Sequence, residues 1–295
     1  MKLRTNEEYL VKMAVQGKPA NPLRFSEFEM DWKGHGHSLP SVGGITYNVK
    51  VGDTAFDWRG DHIEPGVSMV QDEEKRSGKQ NMALQFLACV GNEAVVISGS
   101  AKGAKGTVVG HHGGVEHMIV DFEDKALEKL TYDDKILIRA FGQGLKLLDA
   151  PEVYVYNLDP RLLSPWGVKI SSGKLEVPVA MTVPSSLMGS GLGHGDPATG
   201  DYDITTQDPK AVKRYGLDQL RFGDFVAILN ADNTFGRHYF EGAVTIGVIA
   251  HSDSFLSGHG PGVSTIFSSR TAAIIPKISR EANLAKVLRI GRFRK

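Results

Sequence analysis

The sequence has one cysteine, Cys89, and no apolar run long enough to cross a bilayer. A lone thiol cannot pair within the chain, so a disulfide framework is excluded, and its place in the run LACV reads as a small buried side chain rather than a nucleophile. The opening MKLRTNEEYLVKMAVQG is broken by charges every few residues and lacks the continuous apolar core of a signal peptide, so the expectation is a cytoplasmic chain without membrane contact. A surplus of either charge is also missing, because 34 basic and 34 acidic residues cancel. No overall field therefore favours nucleic acid or an anionic surface, and partner choice rests on local chemistry. At 295 residues the chain is near the size at which single cores divide, which favours two domains.

Helix signals are few. Thr5 and Glu8 have capping-box spacing, with Leu10, Met13 and Ala14 on one face and Gly17 as a stop, which predicts an opening helix. A second is predicted at DPKAVKRYG, with Asp208 as N-cap, Pro209 in the first position and Gly216 past the end. A third, SREANLAKVLRIG, spaces Ala282, Ala285 and Leu288 helically before Gly291 and leaves Arg292, Arg294 and Lys295 as a basic tail without an aromatic platform for nucleic acid.

The remainder reads as short strands between glycine-rich turns, which makes the fold class mainly β with a few short helices. ALQFLACV and EAVVIS form one expected hairpin across Gly91-Asn92. VKVGDTAFDW, LTYDDKILIRA and LRFGDFVAILN share a turn that ends in aspartate, and Asp53, Asp134 and Asp224 read as turn aspartates accepting backbone N–H groups. Residues 99–122 read as a barrel-like hairpin with strands TVVG and HMIVDF and loop GHHGGVE. A phosphate-cradling loop is not indicated, since no lysine-serine or lysine-threonine pair and no helix start follow these glycines. Proline content rises after PEVYVYNLDP, which divides the chain into an N-terminal mainly-β domain, 1–159, and a C-terminal β-rich domain, 160–295.

Most of the ten histidines sit beside glycine in turns: KGHGHS, GDHIEPG, GHHGG, GHGD, AHSD and GHGPG. Exposed turn chemistry explains each one singly. Together they are notable for the carboxylates beside them: Asp61 and Glu64 near His62, Glu116 near His112, Asp196, Asp201 and Asp203 near His194, and Asp253 near His251. Mixed imidazole and carboxylate donors suit a divalent metal with open positions for water and substrate. No His-Glu-x-x-His helix, cysteine pair or calcium-loop spacing fixes such a site. Ser190 and Ser264 lack the strand-to-helix elbow of a serine hydrolase.

On AKGAKGTVVGHHGGVEHMIVDF, FGQGLKL, GLGHGDPATGDYDI and IGVIAHSDSFLSGHGPGVSTIFS the chain resembles the family of domain of unknown function 4438 across both halves. The resemblance implies barrel and layered-sandwich units; it implies no activity and carries over no catalytic residue. GDHIEPGV and GHGDPATGD are also similar in style to loops of acetamidases and formamidases, β-rich metal-dependent amide hydrolases. Two readings follow. In the first, a divalent metal is held by His62, His194, Asp196, Asp201 and His259, with His194, Asp196 and His251 catalytic, and a small amide is hydrolysed. In the second, a non-catalytic β protein binds a small ligand or assembles as a homo-oligomer through its glycine-rich loops.

Overall fold

Alternation along HMIVDF sorts its side chains to two sides: Met118, Val120 and Phe122 enter one core, and Ile119 enters another. The structure, a computed structural model, describes residues 3–295. It closes six strands into a barrel: β1 Met13–Pro19, β2 Gly66–Val70, β3 Glu93–Val96, β4 Lys105–His112, β5 His117–Phe122 and β6 Ile136–Ala140. The order around the barrel is β1-β6-β3-β4-β5-β2 and back to β1, with every pair antiparallel. Closure leaves no room beside Gly17, where a Cβ would lie 2.4 Å from the Val70 carbonyl oxygen. Val67, Met69, Val96, Val108, Met118, Val120, Ile136 and Ile138 fill the interior without exposure. Each such side chain contributes roughly 1.5–3 kcal/mol of burial.

The second half builds another sheet from β7 Met181–Pro184, β8 Tyr202–Asp203, β9 Phe225–Asp232, β10 His238–Ile249 and β11 Gly262–Ser269, with the short strand Tyr154–Val155 added beside β11. β9, β10 and β11 are antiparallel neighbours, β7 runs parallel to β9, and the short β8 pairs with the start of β11. A three-stranded sheet, Lys169–Ser171, Lys174–Val179 and Ile274–Ile278, supplies a second layer. Trp166 stacks on Phe225 with ring centroids 3.8 Å apart and donates its indole N–H to the Pro178 carbonyl at 2.9 Å. The core of this unit takes in Val109 and Ile119 from the barrel, so the two units share packed side chains. Ordinary strand alternation sends the neighbouring Val108 and Val109 to different cores, and β4 bulges between Val108 and Gly110 at the same place.

The local aspartate turns are as expected. Asp53, Asp134 and Asp224 each accept the backbone N–H three residues earlier, from Lys50, Thr131 and Arg221, all at 2.9 Å. The helix Pro209–Tyr215 has Asp208 accepting from the Lys210 N–H and Gly216 left-handed at its end. The opening helix is not formed: only a 3-10 turn, Glu7–Tyr9, precedes β1. Residues 13–19 are taken by barrel closure, a long-range pairing that overrides the local capping pattern. ALQFL is not a strand either, since Lys79–Leu87 is a helix of good helix formers that buries Asn81, Leu84 and Gln85. The last helix is shorter than expected, Leu284–Leu288, and is capped by Asn283. β4 runs through His111 and His112, so both lie in a strand rather than in the GHHGGVE loop. The basic tail is pinned to the body, with Arg292 on Asp53 at 2.5 and 2.7 Å and Arg294 on Asp121. Among the described residues no helix is long and apolar enough to cross a membrane.

Candidate metal centre

The barrel meets the second unit along four seams. His111 N–H donates to Ser264 Oγ at 2.9 Å, and Gly113 N–H donates to Asp201 Oδ1 at 2.8 Å. Ile63 N–H donates to Ser252 Oγ at 2.8 Å, while Asp61 Oδ1 accepts from Ser254 Oγ at 2.8 Å and from Phe255 N–H at 3.0 Å. These bonds draw five segments together: residues 61–64 before β2, the end of β4, residues 199–203 leading into β8, His251 just after β10, and His259 just before β11.

Three imidazoles are oriented in the same way. A carboxylate or carbonyl oxygen can only accept, so a ring nitrogen facing one is the protonated nitrogen. His62 Nδ1 donates to Asp61 Oδ2 at 2.5 Å, His112 Nδ1 to Glu64 Oε1 at 2.5 Å, and His251 Nδ1 to the Ser252 carbonyl at 3.0 Å. Their other ring nitrogens meet further polar atoms of the group: His62 Nε2 lies 3.0 Å from His259 Nδ1 and His251 Nε2 lies 2.8 Å from Asp201 Oδ2. A carboxylate or carbonyl behind a histidine is the usual support of a metal-ligating ring. The rings lie close, with centroids 4.0 Å apart for His112 and His251 and 5.0 Å for His62 and His251. His62 holds a left-handed backbone, φ 50°, a conformation that non-glycine residues seldom adopt outside constrained sites.

The carboxylates complete the group. Asp201 Oδ2 lies 2.8 Å from His251 Nε2, yet both atoms are buried without a hydrogen-bond partner. Two donor atoms in contact but not aligned on each other fit atoms directed at a shared third body. Asp203 Oδ2 lies 3.0 Å from His259 Nδ1 and 3.5 Å from His62 Nε2, and its Oδ1 lies 3.5 Å from His251 Nε2. Candidate donor atoms come within 4.8 Å of one another in three overlapping sets: His62, His112 and His251; His62, Asp203 and His259; Asp201, Asp203 and His251. Gly262 makes the approach possible, since a Cβ there would fall 1.9 Å from Asp201 Oδ2 and 2.1 Å from His251 Nε2.

The electrostatics call for positive charge at this point. Burial opposes ionisation of His251, but Asp201 and Asp203 overcome it and hold the imidazole well above its ordinary value. His62 is raised to about 9 in the same way, against burial, by Asp203 and Asp61. Burial also works against the Glu64 carboxylate, but His117 and His112 hold it well below the usual carboxylate range. Glu64 is locked further by Ser68 Oγ and by His117 Nδ1 at 3.0 Å, while Arg76 donates to His117 Nε2 at 2.5 Å. By contrast His111, one residue from His112, is a neutral core histidine that burial lowers to about 4.

A cavity of about 480 Å³ opens onto the cluster and is lined on its apolar side by Phe25, Val42, Val115 and Leu256. Its polar wall includes Glu116, left-handed at φ 55°, whose carboxyl is pushed up by burial. Arg237 lies behind this wall, 2% exposed, donating to the carbonyls of Asp201 and Thr199 and so fixing the loop that carries Asp201.

Of the residues singled out in the sequence, His62, Asp201, His251 and His259 come together. His194 and Asp196 do not join them. His194 is exposed at the cavity mouth, and Asp196 is spent on its own turn, accepting from Ala198 N–H at 2.8 Å and Thr199 Oγ1 at 3.2 Å. His112 and Asp203 were not selected, although both stand in runs rich in glycine, histidine and carboxylates. Their placement depends on β4 reaching His112 and on Asp203 pairing opposite Gly262, both long-range pairings.

The chain belongs to the family described as domain of unknown function (DUF4438): its N-terminal domain matches over residues 28–164 and its C-terminal domain over 165–288. A solved structure titled "Crystal structure of TM1086" is 45% identical, with a TM-score of 0.91, over 97% of this chain and 99% of that one. No curated protein matches the chain.

Proposed function

We propose that this member of the DUF4438 family is a metal-dependent hydrolase of small polar carbonyl substrates, amides first among them. One observation carries the reading. Three buried histidines have their Nδ1–H groups tied to Asp61, Glu64 and the Ser252 carbonyl, so Nε2 is the nitrogen each can offer a metal, in a group that also holds Asp201 and Asp203. A divalent ion held there supplies a Lewis acid that polarises a carbonyl and makes water more acidic near neutral pH.

The protein's own residues divide the remaining work. Asp61 and Glu64 hold the rings in one tautomer, and Arg237 holds the 199–203 loop against the cluster. Glu116 stands on the cavity wall with its carboxyl raised by burial, which makes it the candidate there to hold or pass on a proton. The buried Val42 and Val115 give one side of a space of about 480 Å³ an apolar lining. That volume falls within the usual range for small-molecule sites, roughly 300–1,000 Å³.

The direct test is metal analysis of protein purified without chelator, with melting curves before and after chelation and after adding Zn²⁺ or Mn²⁺. Stoichiometric metal, with a melting temperature that falls on stripping and returns on reloading, is expected, because a ligand bound only by the folded state stabilises it. Turnover of short aliphatic amides by the loaded protein then tests the chemistry. A chain that neither carries metal nor shifts its melting temperature with it refutes the reading.

A further inference from the structure

The centre offers more donors than one four-coordinate ion uses. His62, His112, His251, His259, Asp201 and Asp203 all contribute atoms to the overlapping sets. Asp203 faces two ways. Its Oδ1 is turned to His251 at 3.5 Å, on the side where Asp201 Oδ2 lies 2.8 Å from the same ring. Its Oδ2 is turned to His259 at 3.0 Å and His62 at 3.5 Å. β8 fixes this orientation, because Asp203 pairs with Gly262 and its Oδ2 also accepts the Gly260 N–H at 3.3 Å. On the Oδ1 side the buried Asp201 Oδ2 and His251 Nε2 have no partner of their own. On the Oδ2 side His62 Nε2 and His259 Nδ1 approach to 3.0 Å.

A carboxylate that presents one oxygen to each of two histidine groups is the arrangement that bridges paired ions, which in two-metal sites stand about 3.5–4 Å apart. We propose that the centre takes two divalent cations bridged by Asp203. His112, His251 and Asp201 hold the first, buried, ion, and His62 and His259 hold the second, on the cavity side. This rests on the metal reading of the same site and adds its nuclearity. It also gives His259 a role that a single site built on His62, His112 and His251 leaves open. Two ions can clamp a substrate oxygen and an attacking water together, the chemistry of amide and phosphoester hydrolysis.

The test is the number of ions bound. The intact protein, loaded with excess Mn²⁺ and desalted, is expected to retain two equivalents per chain and to give the exchange-coupled signal of a Mn²⁺ pair in electron paramagnetic resonance. His259→Ala, at a half-buried position, is expected to fold, to retain one equivalent and to show the signal of an isolated ion. One equivalent in the wild-type protein, with an isolated-ion spectrum, overturns the pair and leaves the single-metal reading standing. No bound metal overturns both. Two equivalents retained by His259→Ala overturn the assignment of the second site, and the wild-type spectrum decides nuclearity whether or not the variant folds.

Discussion

Gly262→Ala is the substitution that most sharply separates a metal centre from a merely buried polar cluster. The added Cβ would stand 1.9 Å from Asp201 Oδ2, 2.1 Å from His251 Nε2 and 2.3 Å from His251 Cδ2. Ordinary contacts are about 3.5 Å, so both side chains must retreat by more than an ångström. Neither can do so cheaply. Asp201 is held at its other oxygen by Gly113 N–H at 2.8 Å, and His251 is held at Nδ1 by the Ser252 carbonyl at 3.0 Å. Overpacking of this kind costs about 1–3 kcal/mol. For a chain of this size that is a fall in melting temperature of roughly 2–5 °C. The effect on metal should be larger than on stability. Losing a supporting group behind a ligand costs about 10–100-fold in affinity, and here two donor atoms are themselves displaced. Titration of stripped protein with Zn²⁺ by calorimetry should therefore show at least a 100-fold loss. Gly195→Ala is the control, since its Cβ would meet nothing within 4 Å. A Gly262→Ala protein that melts lower yet binds metal with wild-type affinity would refute the argument that this glycine seats the ligands.

Three further outcomes follow from the same geometry. Glu64→Gln removes the charge that receives His112 Nδ1–H and His117 Nδ1–H, so metal affinity should fall about 10–100-fold in the same titration, and an unchanged constant would count against Glu64 as support. His194→Ala, on an exposed loop, should leave metal content intact and stability within about 0.5 kcal/mol, and loss of metal would move His194 back into the centre. Asp121 is raised to about 6 by burial, which outweighs Arg294 and the Gly291 N–H. The folded state therefore binds the proton more tightly than the unfolded chain, so this contribution is full below about pH 4 and is lost as pH rises through 6. Asp121→Asn cannot ionise; relative to wild type its stability should improve by on the order of 2–3 kcal/mol between pH 4 and pH 7 in denaturant titrations, and a difference that does not change with pH would refute the sign.

Much of the fold was legible where the cause is local. The three turn aspartates, the Asp208-capped helix and the hairpin strands ending in HMIVDF each depend on residues a few positions apart. One error fell where distant pairing decides. Residues 5–17 carry a cap and an apolar spacing, but 13–19 were needed to close the barrel. ALQFL is a miss of local origin instead: it is as apolar as a strand, but its residue types favour helix, and the helix packs Leu84 into the barrel core.

The site divides along the same line. By itself the sequence determined that histidines and carboxylates gather beside glycines, and that these loops are the place to look for chemistry. Only the tertiary structure decided which loops meet. It brought His62 from before β2, His112 from the end of β4, Asp201 and Asp203 from around β8, and His251 and His259 from either side of the turn into β11 to one point. It left His194 and Asp196 in a self-satisfied turn. The physical reason is one of range. Turn and cap preferences act over three or four residues, whereas the donors of a metal centre are set by strand register and by two packed units, and His62 and His259 meet across 197 positions of sequence.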